Sequence, residues 1–265
     1  MAGDRDTDNT RLIARSFVDA RRRGAGLADY PGTPPRALSE AYAVQDAAIA
    51  LDARPIAGWK VGRIEPPIGV TNRLAGPIFA SQIVVADSEP TAMPVFADGF
   101  AAAEAEFLLR TAAAPDPAQR SHTIETARAL IADVHIGIEI ASSPFQGIND
   151  HGAAVTISDF GNNNGLVIGP ALPGWRDLDL DSFDVALLVN DETVGQATTA
   201  TMLDGPFGAA RFLFELLAER GIALPAGSWI SSGAVTGVHA VVAGDRVSAR
   251  FGDRLSVECT IKAHD

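Results

Sequence analysis

Ala103-Glu104-Ala105-Glu106-Phe107-Leu108-Leu109 and His135-Ile136-Gly137-Ile138-Glu139-Ile140 decide how this chain folds. Side chains on a strand alternate between faces, so Glu104 and Glu106 share one face while Ala103, Ala105 and Phe107 take the other. In the second stretch Ile136, Ile138 and Ile140 form an apolar face, with His135, Gly137 and Glu139 opposite. Such period-two runs predict strands. Gly137, without a side chain, leaves room beside Glu139 for a group to approach the backbone. Carboxylates inside apolar strands are costly unless paired, since two unit charges 4 Å apart repel by about 4 kcal/mol at an effective dielectric of 20. If they converge, Glu104, Glu106 and Glu139 require protonation, several arginines or a hard dication bound through oxygen: Mg2+ or Mn2+, with Ca2+ also suited. The plainer alternative is that the E-x-E pair faces solvent on a one-sided strand.

Working outward, the same texture recurs at 58–62, 165–169, 183–189, 228–231 and 246–251, and each run predicts a strand. Helical spacing marks 9–23, 39–51, 121–131 and 206–220. Arg21, Arg22 and Arg23 close the first helix, where the helix dipole favours cations, and Gly221 stops the last. Ser39 is the expected cap of the second helix, with Tyr42, Gln45 and Ile49 along one stripe. Many strands with few, unevenly placed helices give an α+β class, not a regular βαβ alternation. The expected organisation is a helical segment over 1–55 packed on a β-rich catalytic domain over 56–265.

The 265 residues carry a formal charge of -12, with 47% hydrophobic and 20% charged residues. That balance belongs to a globular chain and excludes disorder as its main state. So acidic a surface repels phosphate backbones, so no nucleic-acid partner is expected. The polar N-terminus predicts no signal peptide. The stretch 221–244 lacks charge, but Pro225, its glycines and Ser231-Ser232 break it, so no membrane span is expected. Cys259 is the one cysteine. It excludes an internal disulfide and fits a cytoplasmic location.

Three further stretches carry chemistry. In Gly58-Trp59-Lys60-Val61-Gly62, partial burial would lower the pKa of Lys60 and suit it to move protons; as a cation it would hold a substrate carboxylate. The plainer reading is a lysine snorkelling from an edge strand. Ser158-Asp159-Phe160-Gly161-Asn162-Asn163-Asn164-Gly165 predicts a loop, either a simple turn or one offering amides to an anion. Ser231-Ser232-Gly233-Ala234 is a strand end with hydroxyls at a pocket rim, or only a turn. The chain holds no dinucleotide fingerprint, phosphate loop, H-E-x-x-H or nucleophile elbow.

In order along the chain, A-Y-A-V-Q (41–45), G-W-K-V-G (58–62), A-E-A-E-F (103–107), I-G-I-E-I (136–140), D-F-G-N-N-N-G (159–165) and A-G-S-W-I-S-S-G-A (226–234) resemble the 2-keto-4-pentenoate hydratase and 4-oxalocrotonate decarboxylase family of the fumarylacetoacetate hydrolase superfamily. The resemblance runs from about residue 10 to 260. It implies a mixed β-roll or sandwich, with Glu104, Glu106 and Glu139 as ligands of Mg2+ or Mn2+. By the same resemblance Lys60 would be the active-site lysine, and Ser232, Gly233 and Asn163 would bind substrate. It further implies a homo-oligomer acting on 2-hydroxy-2,4-dienoates or their 2-oxo tautomers. Hydration is the first expected reaction. Decarboxylation of a 4-oxalocrotonate-type diacid, C–C hydrolysis of an acylpyruvate, or a non-catalytic partner subunit are the alternatives. The chain departs from the family's hydratases twice: Arg63-Ile64-Glu65-Pro66-Pro67 and then Gly76-Pro77-Ile78-Phe79 stand where K-V-G-x-T-S and a segment containing P-D-F-G occur, without the acidic residue of the latter, and Asp159-Phe160-Gly161-Asn162-Asn163-Asn164-Gly165 replaces D-N-A-S-S-G.

Overall fold

The computed structural model describes residues 2–264. Two helices come first, α1 (Ala2–Arg23) and α2 (Leu38–Asp52), followed by β1 (Ile56–Ile68), β2 (Thr71–Phe79), β3 (Ile83–Val85), β4 (Thr91–Val95) and β5 (Phe100–Thr111). After α3 (Ile124–Ala129) come β6 (Ile131–Ser143), α4 (Ala153–Ser158), β7 (Asn163–Ala171), β8 (Asp184–Val189) and β9 (Glu192–Thr198). The chain ends with α5 (Gly205–Arg220), β10 (Trp229–Ser231), β11 (His239–Ala240), β12 (Arg246–Phe251) and β13 (Leu255–Ala263).

The strands form two mixed sheets. One has eight strands, in the order β2-β1-β10-β5-β6-β7-β3 with β11 also on β5; the other has five, β4-β13-β12-β8-β9. The apolar face read from the sequence joins them: Ala103, Ala105, Phe107, Ile136, Ile138 and Ile140 share one core with Ala249, Phe251, Val257 and Ile261. Each fully buried Ile contributes about 1.5–3 kcal/mol of transfer free energy, so this shared face is what holds one sheet on the other. This is the expected α+β roll. No helix among the described residues is long and apolar enough to cross a membrane.

The opposite face of the large sheet is covered in part by α1 and α2. Ile13, Phe17 and Val44 pack with Phe79, Phe145 and Phe160 in a second core. α2 is fastened to β2 by its polar stripe: Gln45 Nε2 donates to the carbonyls of Ala75 and Ile157, both at 3.0 Å, and the Tyr42 hydroxyl accepts from Ala75 N–H at 3.1 Å. The cap differs from expectation. Ala37 is the N-cap, without a side-chain bond, and Glu40 reaches back to the Arg36 N–H at 2.8 Å, so Ser39 is not the cap.

Candidate metal centre

β5 and β6 pair antiparallel, in a register that sets Glu104 opposite Glu139 and Glu106 opposite Gly137. All three carboxylates are buried. Each offers an oxygen within 4.8 Å of the others. Lys60 enters from β1, with its Nζ 3.4 Å from Glu139 Oε1. The solvent-facing alternative for the E-x-E pair is therefore excluded.

The backbone and neighbouring side chains fix these carboxylates. Glu106 Oε2 accepts from Ser231 Oγ at 2.5 Å and from the Gly233 N–H at 2.9 Å. Glu139 Oε1 accepts from Asn163 Nδ2 at 2.9 Å. Glu106 Oε1 and Glu139 Oε2 have no hydrogen-bond partner among the described residues. Leaving a buried polar atom unsatisfied costs about 1–3 kcal/mol, more when charged. Two such oxygens in one cluster are suited to a cation.

Burial pushes the Glu104 carboxyl up to about 7, with Lys60 opposing the rise and Glu139 adding to it. Burial raises Glu106 well above the usual carboxylate range, reinforced by Glu139 and Glu104. For Lys60, burial opposes the charged form, but Glu139, Glu104 and Glu106 outweigh it and the pKa is raised. The expected lowering does not occur, because the burial that disfavours an ammonium comes with three carboxylates that favour it. Three carboxylates and one ammonium leave two negative charges, which one dication cancels. All-oxygen donors, two unbonded oxygens and this charge balance fit a hard divalent cation.

A cavity of about 760 Å³ adjoins the cluster, and Lys60, Glu104, Ser232 and Gly233 line it. Ser232 Oγ is buried without a hydrogen-bond partner among the described residues, and Gly233 also holds Glu106 through its N–H. Asn163, expected at the substrate, holds Glu139 through Nδ2, and its Oδ1 has no hydrogen-bond partner among the described residues; its neighbour Asn162 lines the cavity. The room expected over Gly137 is filled by Leu108, whose side chain a Cβ there would strike. His135 lies apart from the carboxylates, with Nδ1 2.9 Å from the Gly169 carbonyl and its ring edge-on to Trp229.

Three contacts escaped the sequence reading. Ser231, expected with Ser232 as a hydroxyl at a pocket rim, holds Glu106; that contact follows from the pairing of β10 with β5, which the sequence does not show. Arg73, buried and paired with Asp204, lines the cavity with Arg63, and only its place in an unexpected strand would have revealed it. Arg21 was read as a helix-end cation; it is buried against Asp159.

No protein-family model matches the chain. A 4-oxalocrotonate decarboxylase of Pseudomonas sp. (strain CF600) is 33% identical over 101 residues, a match spanning 38% of this chain and 38% of that protein. Whole-chain similarity is structural. The 4-oxalocrotonate decarboxylase from Pseudomonas putida G7, complexed with magnesium and adipate, superposes with a TM-score of 0.78 at 21% identity, covering 96% of this chain and 98% of the other. The 5-carboxymethyl-2-hydroxymuconate delta-isomerase from Mycobacterium smegmatis superposes at 0.58 with 18% identity, covering 80% and 81%. The chain shares the fold of these solved structures. The local sequence match supports the resemblance to the 2-keto-4-pentenoate hydratase and 4-oxalocrotonate decarboxylase family over the residues it spans, and the whole-chain superposition supports the fold that the resemblance implies.

Proposed function

We propose that this chain is a divalent-metal-dependent decarboxylase of a vinylogous 2-oxo diacid of the 4-oxalocrotonate type, releasing carbon dioxide and leaving a 2-hydroxy-2,4-dienoate. The observation that carries the reading is the buried Glu104–Glu106–Glu139 cluster, with two unbonded oxygens, opening beside Lys60 onto a cavity. These three side chains would hold Mg2+ or Mn2+. When bound, the cation would supply Lewis-acid withdrawal of electrons through the substrate's 2-oxo group.

The chain's own residues do the remainder. The Lys60 ammonium, 3.4 Å from Glu139 Oε1, offsets negative charge as the carboxyl group's electron pair passes into the dienolate and is the candidate for moving a proton. Its raised pKa keeps it cationic, which suits it to offset charge and not to serve as a general base. Val61, Leu74, Met202 and Val235 give the cavity apolar wall. Such a wall penalises a carboxylate presented to it and not the neutral gas that leaves. Ser232 and Asn162 turn unbonded polar atoms towards the substrate.

Hydration, the first expectation from the sequence, needs the same cluster. The decarboxylase relatives and the two departures from the hydratases, at 63–67 with 76–79 and at 159–165, support decarboxylation over it. The test incubates protein, Mg2+ and 2-oxohex-3-enedioate, following carbon dioxide and the dienoate absorbance. Stoichiometric release of both supports the reading. Turnover of 2-hydroxypenta-2,4-dienoate alone favours hydration, cleavage of acetylpyruvate alone favours C–C hydrolysis, and no turnover of any favours a partner subunit.

A further inference from the structure

Arg21, near the end of α1, is 8% exposed and uses all five of its N–H groups. Nε donates to Asp159 Oδ1 at 2.5 Å and Nη2 to Asp159 Oδ2 at 2.8 Å, a bidentate pair. Nη2 also donates to the Ser142 carbonyl at 3.1 Å. Nη1 donates to the Asn163 carbonyl and to Asn164 Oδ1, both at 3.1 Å. One guanidinium thus ties β6, three residues past Glu139, to both ends of the segment joining α4 to β7.

That segment needs tying. Phe160, Gly161 and Asn162 are three successive left-handed residues, with φ of 55°, 64° and 69°. Each non-glycine residue there costs about 1–2 kcal/mol, so the turn persists only if its surroundings hold it. The Arg21 contacts grip it at Asp159 and Asn163. From beneath, Gly76 packs so closely that a Cβ would collide with the Phe160 carbonyl oxygen. What the turn presents is the site itself: Asn162 lines the cavity with Oδ1 unbonded, and Asn163 holds Glu139 Oε1.

We infer that Arg21 is a positioning residue of the metal centre: through Asp159 and the left-handed turn it sets Asn163, which orients Glu139 so that its second oxygen is free for a cation. The inference rests on the reading of the three glutamates as metal ligands. A fastener alone would not need this chemistry, since a buried ion pair is a poor stabiliser compared with apolar side chains of like volume. A guanidinium reaches Asp159 and two further carbonyl groups from one plane, which an ammonium cannot do.

The test is Mn2+ affinity by titration calorimetry on folded protein, well below the unfolding temperature. The proteins are wild type, Arg21→Lys, Asn163→Ala, the double variant, and Arg23→Ala as a control at the exposed end of the same helix. The expected result is a loss of about 10–100-fold for each single variant, the size usual for residues that orient metal ligands, and none for Arg23→Ala. The double variant should lose little beyond Asn163→Ala alone, because both act on one oxygen. Unchanged affinity in Arg21→Lys, or full additivity, overturns the inference and leaves Arg21 a fastener. If Arg21→Lys does not fold, Asp159→Asn carries the same test, with weakened binding supporting the clasp and wild-type binding overturning it. A wild-type protein that binds no Mn2+ overturns the metal reading itself, a result distinct from equal binding by every variant.

Discussion

Glu104 and Glu139 face each other directly across the β5–β6 ladder, two buried carboxylates held side by side by backbone register. Like charges opposed in this way are destabilising in an ordinary sheet. The register is fixed by the apolar face behind it, because a slip of one residue would turn Ile136, Ile138 and Ile140 towards the cavity side and Glu139 into the core. The hydrophobic core therefore enforces a repulsion that a cation relieves.

That repulsion gives the metal-free protein a pH dependence. Burial pushes the folded Glu104 carboxyl up to about 7 against an ordinary value of 4.5, and Glu106 is also raised well above the ordinary value. A folded pKa above the unfolded one means that the folded state holds the proton more tightly. The stabilisation is present below the unfolded value and is lost as pH rises through the folded one. The Tm of metal-free protein should fall between pH 5 and pH 8, and saturating Mg2+ should raise it more at pH 8 than at pH 5. A calorimetric scan series at both pH values checks this; a metal-free Tm that rises over the interval contradicts it.

Glu106→Gln should separate stability from binding. Ser231 Oγ and the Gly233 N–H can still donate to the amide oxygen, while one buried charge is gone. The variant should be at least as stable as wild type without metal, and its Tm should no longer respond to Mg2+. Thermal unfolding with and without metal reads both effects.

Lys60→Met removes the ammonium beside Glu139. Loss of a neighbouring positive charge should leave Mn2+ binding no weaker, while turnover falls by about 10²-fold or more, the usual contribution of a positioned proton donor. Calorimetry and steady-state assay together test the separation. Loss of binding with loss of turnover would make Lys60 a structural partner only.

Gly76→Ala places a methyl group against the Phe160 carbonyl, which sits on backbone and cannot swing aside. Overpacking of this kind costs about 1–3 kcal/mol, and chemical denaturation should show a loss of that order.

The sequence made the two central strands legible because their period-two pattern is set by burial on one face alone, and that pattern also put Glu104, Glu106 and Glu139 in view. It showed that they share faces but not that β5 and β6 adjoin. β2 and β13 were missed: Pro77 interrupts the first, and polar residues such as Glu258 and Thr260 break the apolar texture of the second. The loop expected at 158–165 divides into the end of α4, a left-handed turn and the first residues of β7. No local propensity favours Phe160 in left-handed geometry; Arg21, 138 residues before Asp159 in sequence, holds it there through that carboxylate. The hold of Asn163 on Glu139 and of Ser231 on Glu106 was not legible for the same reason, since both depend on which strand lies beside them. The fold's periodic parts can be read from the chain, and its long-range polar contacts cannot.

The most direct test of the metal centre is an anomalous-difference map from crystals grown with Mn2+. The expected result is one peak within about 2.0–2.3 Å of an oxygen from each of Glu104, Glu106 and Glu139, with Lys60 Nζ outside the coordination shell. A map with no peak there at saturating Mn2+, or a peak contacting only one of the three, would contradict the account.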